Sequence, residues 1–445
     1  LTPSQAWVAA ALFAVHPVHT EAVAIAVDQG ELVVALCAAL TVVVWLRWRR
    51  GALRDGPAYG ALLAAYLTAL GFKENGLIIP ALLVATELTL PGPATVEARR
   101  RWTALGALAL VGAAWWSVRA AVLGGVAGAA PAEGLRGVGA VGRGFTMLGV
   151  VPEWARLLVW PAHLQGDYSP WEVTPYAGWT AAQTLGLLIA AAFVVASVIA
   201  WRRHRGAAFA LAWVALALAP VSNVVIPTGI LLAERTLFLA SAGVAIAVAA
   251  LIPDRAWQGR WRPVVAGAVG LLLVAGAARS FTRMAIYRDL DSSVEALGRD
   301  APRSWRTMMI LGIRRMETGH REEGERLLAA AHAAWPAATR PIQLLAFYQR
   351  LDGRCDAAVP WLEESLRLEP TDTWTRLPYV ACLRDLGRYA DAGVAARAGA
   401  GTDVNGLALA QAAVVADSAL AARAPAHTVR LPPIRGGLTL VGTRQ

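Results

Sequence analysis

Predominantly apolar runs of up to about 20 residues recur through the first 279 residues of the chain. A helical run of that length matches the ~30 Å hydrocarbon core of a bilayer, and in lipid a helix satisfies all of its own backbone groups. Composition agrees, because 57% of the residues are hydrophobic and 16% are charged, whereas an average soluble domain has about 25% charged residues. The sequence therefore predicts a multi-pass membrane protein.

Nine of these runs are long enough, or nearly so, to cross a bilayer. They cover residues 5–15, 31–46, 57–72, 75–91, 103–122, 179–200, 207–226, 236–252 and 263–279. Arginine clusters follow the second, fourth, sixth and eighth runs, so that every second loop is positively charged. By the positive-inside rule these loops are cytoplasmic. We therefore expect the intervening loops, and everything after residue 279, on the extracytoplasmic side of the cell membrane.

A 34-residue repeat follows the apolar part of the chain. Gly319, Gly353 and Gly387 are spaced by 34 residues, and so are Pro336 and Pro370. This is the period of tetratricopeptide repeats, in which glycine permits the turn between two helices and proline closes the second helix. The spacing predicts an α-solenoid that presents a surface to partners.

The predicted fold is all-α, with a polytopic transmembrane domain followed by a tetratricopeptide-repeat solenoid. The transmembrane domain covers residues 1–279, and because Leu1 lies close to an apolar run and is not Met, we expect it to be truncated at its N-terminus. A connecting helix at 280–302 leads to the repeats at 303–398. A weak capping helix and a disordered tail are expected over 399–445.

The segment "HPVHTEAV", residues 16–23, combines His16, His19 and Glu21 at the predicted outer end of the first run. Imidazoles and a carboxylate can bind cations or move protons, so this group is a candidate metal, phosphate or sugar site. The alternative interpretation is that these side chains cap helix ends at the water interface.

Lys73 is the one lysine among 41 basic residues. It lies beside Glu74 in a very short outer connection between two runs, where charge is costly and often functional. A lysine at this place can hold a phosphate as a compact point charge. The alternative is a lysine that extends to the interface and pairs with Glu74.

Further charged residues fall on the same predicted outer side. Glu234 and Arg235 precede the eighth run, and Arg119 lies near the outer end of the fifth. An arginine at the end of a span more often reaches for the interface than for a substrate, but several on one side favour a site. Asp167 and Tyr168 add polar groups, for which a solvated loop is the default interpretation.

Other chemical classes find no support in the sequence. No nucleotide-binding loop, zinc-ligand pair or serine-hydrolase elbow is present, and Cys37, Cys355 and Cys382 have no metal-ligand spacing and form no dense disulfide framework. The net charge of +10 could suggest nucleic acid, but the arginines lie in loop clusters that membrane topology explains. We expect neither a protein-bound metal centre nor a nucleic-acid partner.

Four segments, together with the repeats, resemble a known family. They are "ALFAVHPVHTEAVA" (11–24), "GFKENGLIIPALL" (71–83), "WPAHLQGDYSP" (160–170) and "PVSNVVIPTGILLAERTLFLASAG" (220–243). The chain resembles, over nearly its whole length, the transmembrane and tetratricopeptide-repeat proteins related to protein O-mannosyltransferases, which are glycosyltransferases of the GT-C fold.

The resemblance implies an enzyme that moves a hexose, such as mannose, from a polyprenyl- or dolichyl-phosphate to a hydroxyl acceptor on the extracytoplasmic face. The acceptor would be a protein or peptide bound by the repeats, and a divalent cation is a further candidate cofactor. The catalytic base of such enzymes lies in the first outer loop, which would precede Leu1. The matching positions are Lys73, Arg119 and Arg235 as donor-phosphate partners, His16, His19 and Glu21 as supporting residues of the acceptor or base, and Glu74 and Glu234 as further supporting residues.

One departure from the family pattern leaves a second hypothesis open. Relatives carry an arginine after the histidine motif, where this chain has Gln29 within Asp28 to Glu31. Donor type, or activity itself, could therefore differ. The alternative is a non-enzymatic membrane scaffold whose repeats recruit partners.

Overall fold

The computed structural model describes residues 1–125, 132, 134–170, 172–173, 175–257, 259–401 and 404–423. This part of the chain is helical and contains no strand, so the all-α prediction is confirmed. The chain divides into two compact units, Leu1–Leu311 and Gly312–Gln445. The disordered tail expected after the last helix falls on residues 424–445, which lie outside the described residues.

The first unit contains twelve α-helices within the residues described. They are α1 (Pro3–Ala14), α2 (Thr20–Ala24), α3 (Gly30–Arg49), α4 (Asp55–Phe72), α5 (Ile79–Thr89), α6 (Ala98–Leu123), α7 (Ala140–Val159), α8 (Ala181–Arg203), α9 (Arg205–Leu218), α10 (Phe238–Leu251), α11 (Arg262–Met284) and α12 (Leu290–Asp300).

Among the described residues of this unit, five helical segments are long and apolar enough to cross a bilayer: Ala26–Arg49, Ala98–Leu123, Ala181–Arg203, Glu234–Leu251 and Gly259–Tyr287. They coincide with five of the nine predicted runs and identify a membrane protein. The other four runs also fall on helices, α1, α4, α5 and α9, which have 12, 18, 11 and 14 residues. The count of nine spans therefore stays a prediction.

The surfaces of α6, α8 and α11 are consistent with lipid as their solvent. Apolar side chains on these helices point outwards, with Leu110 of α6 73% exposed and Val274 of α11 67% exposed. Rows of such side chains would be unfavourable in water but are favourable in a hydrocarbon environment.

Two glycines allow neighbouring helices to pack closely. A Cβ atom at Gly186 of α8 would lie 1.8 Å from the carbonyl oxygen of Leu148 on α7, and one at Gly243 of α10 would lie 2.7 Å from that of Ala210 on α9. Glycine therefore lets these backbones approach as they do in membrane helix pairs. The core between the helices is filled by large side chains such as Trp45, which is fully buried.

The run predicted at 207–226 ends as a helix at Leu218, because a closed loop follows it. Asn223 adopts a left-handed φ of 55°. Its side-chain oxygen accepts the N–H of Thr228 at 2.6 Å, and its amide donates to the carbonyl of Ile230 at 3.0 Å. Arg143 of α7 donates to the carbonyl of Asn223 at 2.8 Å. This loop delivers the chain to the start of α10 in a fixed position.

The second unit and the helix leading into it contain α13 (Trp305–Glu317), α14 (Arg321–Ala334), α15 (Arg340–Leu351), α16 (Cys355–Leu368), α17 (Thr373–Asp385), α18 (Tyr389–Ala398) and α19 (Val404–Arg423). Gly319, Gly353 and Gly387 separate successive helices with φ of 87°, 74° and 77°, a conformation that glycine adopts without a steric penalty. The turn role expected of these glycines is confirmed, whereas the tetratricopeptide assignment stays a prediction.

A disulfide joins Cys355 at the start of α16 to Cys382 in α17, with Cα atoms 5.1 Å apart. The sequence spacing alone did not reveal this pairing. The third cysteine, Cys37 of α3, is free and buried.

Candidate functional site

Five charged side chains from separate parts of the first unit form one ion-pair network. Glu21 and Asp28 come from the connection between α1 and α3, Glu31 from the first turn of α3, Lys73 from the end of α4 and Arg235 from the approach to α10. Asp28 joins the two cations, since its Oδ1 lies 3.1 Å from Arg235 Nε and 3.8 Å from Lys73 Nζ.

Glu21 and Arg235 form the tighter half of the network. The backbone N–H of Arg235 donates to Glu21 Oε2 at 2.8 Å, and its guanidinium donates to Oε1. Glu21 is almost completely buried, whereas Arg235 keeps 26% of its side chain exposed. Both carboxylate oxygens of Glu21 are therefore occupied.

Lys73 and Glu31 form the other half. Lys73 Nζ donates to Glu31 Oε1 at 3.1 Å, and Asn75 Nδ2 donates to Oε2 at 3.2 Å. Gly30 allows the lysine to lie flat against α3, because a Cβ at this position would approach Lys73 Cγ to 3.2 Å. The lysine side chain remains 22% exposed.

Glu74 and Arg119 form a separate pair beside the network. Arg119 Nε donates to Glu74 Oε1 at 3.1 Å, and its guanidinium lies 5.1 Å from the centre of the Trp116 ring. Burial alone would raise the pKa of Glu74, but hydrogen bonding to backbone and to Arg119, together with nearby positive charge, lowers it overall. Lys73 thus pairs with Glu31 and Arg119 with Glu74, whereas the alternative interpretation of Lys73 paired it with Glu74.

Glu234, the residue before Arg235, is fully buried. Its Oε1 accepts the backbone N–H of Gln165 at 2.5 Å and the hydroxyl of Tyr168 at 2.9 Å. Its Oε2 has no hydrogen-bond partner among the described residues. Burial and the nearby carboxylate raise the pKa of Tyr168, which keeps this hydroxyl protonated as a donor.

A cavity of about 110 Å³ lies between the 165–170 segment and the 230–235 segment, and Glu21, Glu234 and Arg235 contribute to its wall. Asp167 also lines it and is fixed by Ser169, whose backbone N–H lies 3.1 Å from Oδ2. The cavity has room for a few water molecules or a small polar group.

The two histidines of the predicted site, His16 and His19, are held by hydrogen bonds to neighbouring residues and do not line the cavity. His16 Nδ1 accepts the N–H of Val18 at 3.3 Å, so its Nε2 carries the proton that reaches the carbonyl of Leu158 at 3.1 Å. Burial lowers the pKa of His16. The side chain therefore caps the short turn after α1, as the alternative interpretation of this motif expected.

His19 lies behind Glu21 and outside the cavity wall. Its ring packs between Phe13 and Phe238, with centroid distances of 4.5 and 4.3 Å, and its Nε2 lies 2.7 Å from Ser241 Oγ. Burial, reinforced by the neighbouring His16, lowers its pKa to about 3. His19 is therefore a neutral packing residue near neutral pH.

Sequence reasoning missed Asp28, Glu31 and Asn75 as members of the site. The available signal was the position of two carboxylates at the start of an apolar run, where each needs a cationic partner. Gln29, at the position where the resemblance implies an arginine, is exposed and donates to the carbonyl of Val23 at 3.2 Å.

The described residues contain no group of three or more His, Cys, Asp or Glu side chains that could hold a metal ion. No protein-family model, curated protein or solved structure matches the chain. The site must therefore be interpreted from its own chemistry.

Proposed function

We propose that the protein is a membrane glycosyltransferase that moves a hexose from a polyprenyl-phosphate or dolichyl-phosphate donor to a hydroxyl acceptor. One observation carries the proposal: the four distant sequence motifs meet in one place. Glu21, Lys73, Tyr168 and Arg235 each come from a different motif, and they lie in the ion-pair network or line the adjoining cavity.

Such a transfer needs two kinds of group. The acceptor oxygen forms a bond to the anomeric carbon while the bond from that carbon to the phosphate breaks, so cations must stabilise the departing phosphate and a base must take the acceptor proton. Lys73 and Arg235 are partly exposed and can present N–H groups to a phosphate. Glu234 lines the cavity but is fully buried and held by Gln165 and Tyr168, so we assign it a supporting role and not that of the base.

The disulfide supports the proposed sidedness. Disulfides persist in oxidising compartments such as the periplasm or the cell exterior and are rare in the cytosol. The Cys355–Cys382 bond therefore favours repeats on the extracytoplasmic side, where they would present a protein or peptide acceptor to the site.

Transfer of radiolabelled sugar by the full-length protein in lipid tests the proposal. We compare wild type with the Lys73→Ala, Arg235→Ala double variant, and use Arg54→Ala as a control because Arg54 is an exposed arginine outside the network. Loss of transfer in the double variant alone, with normal membrane insertion, supports the enzyme. Full transfer by the double variant would refute the assigned phosphate site.

A second candidate function has an observation of its own. Each predicted phosphate partner, Lys73, Arg119 and Arg235, already has a carboxylate partner, which is also what a purely structural clamp would require. A membrane scaffold is favoured if wild type transfers sugar from no polyprenyl-phosphate donor while its repeats capture a defined partner.

A further inference from the structure

A groove of about 750 Å³ separates α4 from α6. The two helices are parallel, because Arg100 at the start of α6 pairs with Asp55 at the start of α4 at 3.1 Å, and Gly112 faces the hydroxyl of Tyr66 farther along both helices. The groove lies between these two contacts. It opens at the end of α4 opposite to Lys73, away from the candidate site.

The groove is lined by charged residues at one end and by apolar residues at the other. Near the helix starts it is lined by Glu97, Arg99 and Arg100, and deeper it is lined by apolar residues such as Leu63 and Ala107. This arrangement matches an amphiphile with a charged head and a hydrocarbon chain. A water-soluble ligand would leave the deep apolar walls unused, and α6 turns most of its surface outwards to the expected lipid.

Charge at the mouth favours an anionic head. Residues 47–55 and 97–101 carry seven arginines against Asp55 and Glu97, and Glu87 pairs with two of these arginines, Arg49 and Arg101, so the net charge of the group is +4. The guanidinium of Arg99 has no partner within the described part of the chain. Arg100 is held by an exposed ion pair, which is weak enough to exchange for a phosphate.

We propose that this groove binds an anionic phospholipid, with its phosphate on Arg99 and Arg100 and an acyl chain between α4 and α6. Basic pockets between membrane helices on the positively charged side recognise such head groups. The site is independent of the proposed sugar transfer, since it shares no residue with the network at the other end of α4.

Native mass spectrometry of the full-length protein with phosphatidylglycerol or phosphatidylcholine tests this site. We expect wild type to prefer phosphatidylglycerol, and we expect Arg99→Gln, Arg100→Gln to weaken its binding by about tenfold or more, since each arginine near an anionic lipid contributes roughly fivefold. The control is Arg202→Gln, Arg203→Gln, which removes two exposed arginines from the end of α8 and should leave binding nearly unchanged.

A second variant separates the groove from general surface charge. Ala107→Trp fills the apolar part without changing any charge, and we expect it to lower phosphatidylglycerol binding as the arginine variant does. Equal loss in the two double-arginine variants would show bulk electrostatic attraction and overturn the proposal. Undiminished binding in Ala107→Trp, or no preference for phosphatidylglycerol in wild type, would overturn it as well.

Discussion

Arg235 binds Glu21 through two different groups, its backbone N–H at 2.8 Å from Oε2 and its guanidinium on Oε1. The two residues are 214 positions apart in the chain. This contact therefore fixes the start of α10 against the connection after α1. Both residues touch the candidate cavity, so the same contact gives the cavity its shape.

Replacing Arg235 with Met should lower the free energy of unfolding by roughly 3 kcal/mol, the lower end of the range for breaking a buried ion pair, because Arg235 is a quarter exposed. The loss leaves Glu21 buried with one backbone donor. Thermal unfolding in nanodiscs measures the effect.

A double-mutant cycle with Arg235→Met and Glu21→Gln measures the interaction free energy between these two side chains. We expect the combined variant to be more stable than the sum of the two single changes by about 1–3 kcal/mol. Strict additivity would show that the two side chains do not interact as described.

Lys73 stabilises Glu31, and this role can be separated from phosphate binding. Lys73→Met should destabilise the protein, because the buried carboxylate of Glu31 would keep only the hydrogen bond from Asn75 and the attraction of a more distant cation. Glu31→Gln in the same chain should restore most of the melting temperature by removing the unpaired charge. If sugar transfer returns together with stability in this double variant, Lys73 has no direct part in the reaction.

The fold could be predicted where a local pattern decides it. Apolar length indicated the helices and the glycine spacing indicated the turns, because each depends on neighbouring residues. Helix ends were less predictable: the run at 207–226 stops at Leu218 because Asn223 and Arg143 organise a loop through contacts that are distant in sequence.

The site was predicted in part for the same reason. Sequence reasoning selected Glu21, Lys73 and Arg235, which stand out as charged residues next to apolar runs. Its alternative interpretation of Lys73 was a pair with the neighbouring Glu74, whereas the structure pairs Lys73 with Glu31, 42 positions away. Which carboxylate faces a given cation depends on helix packing, which single-residue chemistry does not reveal.

His19 should make stability fall as the pH becomes acidic. Its folded-state pKa is lowered from 6.5 to about 3, so the unfolded chain binds this proton more readily than the folded one. The contribution of neutral His19 is therefore full above pH 6.5 and declines by up to about 1.4 kcal/mol per pH unit below it, until the pH reaches the folded-state pKa.

The measurement is the melting temperature of wild type and His19→Gln between pH 4.5 and 7.5, in which range glutamine does not titrate. We expect the wild type to lose more stability on acidification than the variant. His163 is exposed, and the control substitution His163→Gln should follow the wild type.

Reduction of the Cys355–Cys382 bond should destabilise the helices of the second unit. The bond closes a loop of 27 residues, for which the chain-entropy model gives roughly 3–4 kcal/mol. Thermal unfolding of the full chain with and without reductant measures the change, and the Cys355→Ala, Cys382→Ala variant should be insensitive to reductant. A Cys37→Ala variant should respond like wild type, and if it does not, the effect of reductant comes from elsewhere.

Two glycines in membrane helices should respond in opposite ways to the same substitution. At Gly186 an added methyl group would meet the carbonyl oxygen of Leu148 at 1.8 Å, and a backbone atom cannot move aside as a flexible side chain can. Gly186→Ala should therefore force α7 and α8 apart and cost about 1–3 kcal/mol. At Gly106 of α6 nothing lies within 4 Å, so Gly106→Ala should be neutral or stabilising by about 0.5–1 kcal/mol through its better helix propensity. Melting temperatures of the two variants in the same lipid decide the matter, and equal effects would mean that α7 and α8 do not touch at Gly186.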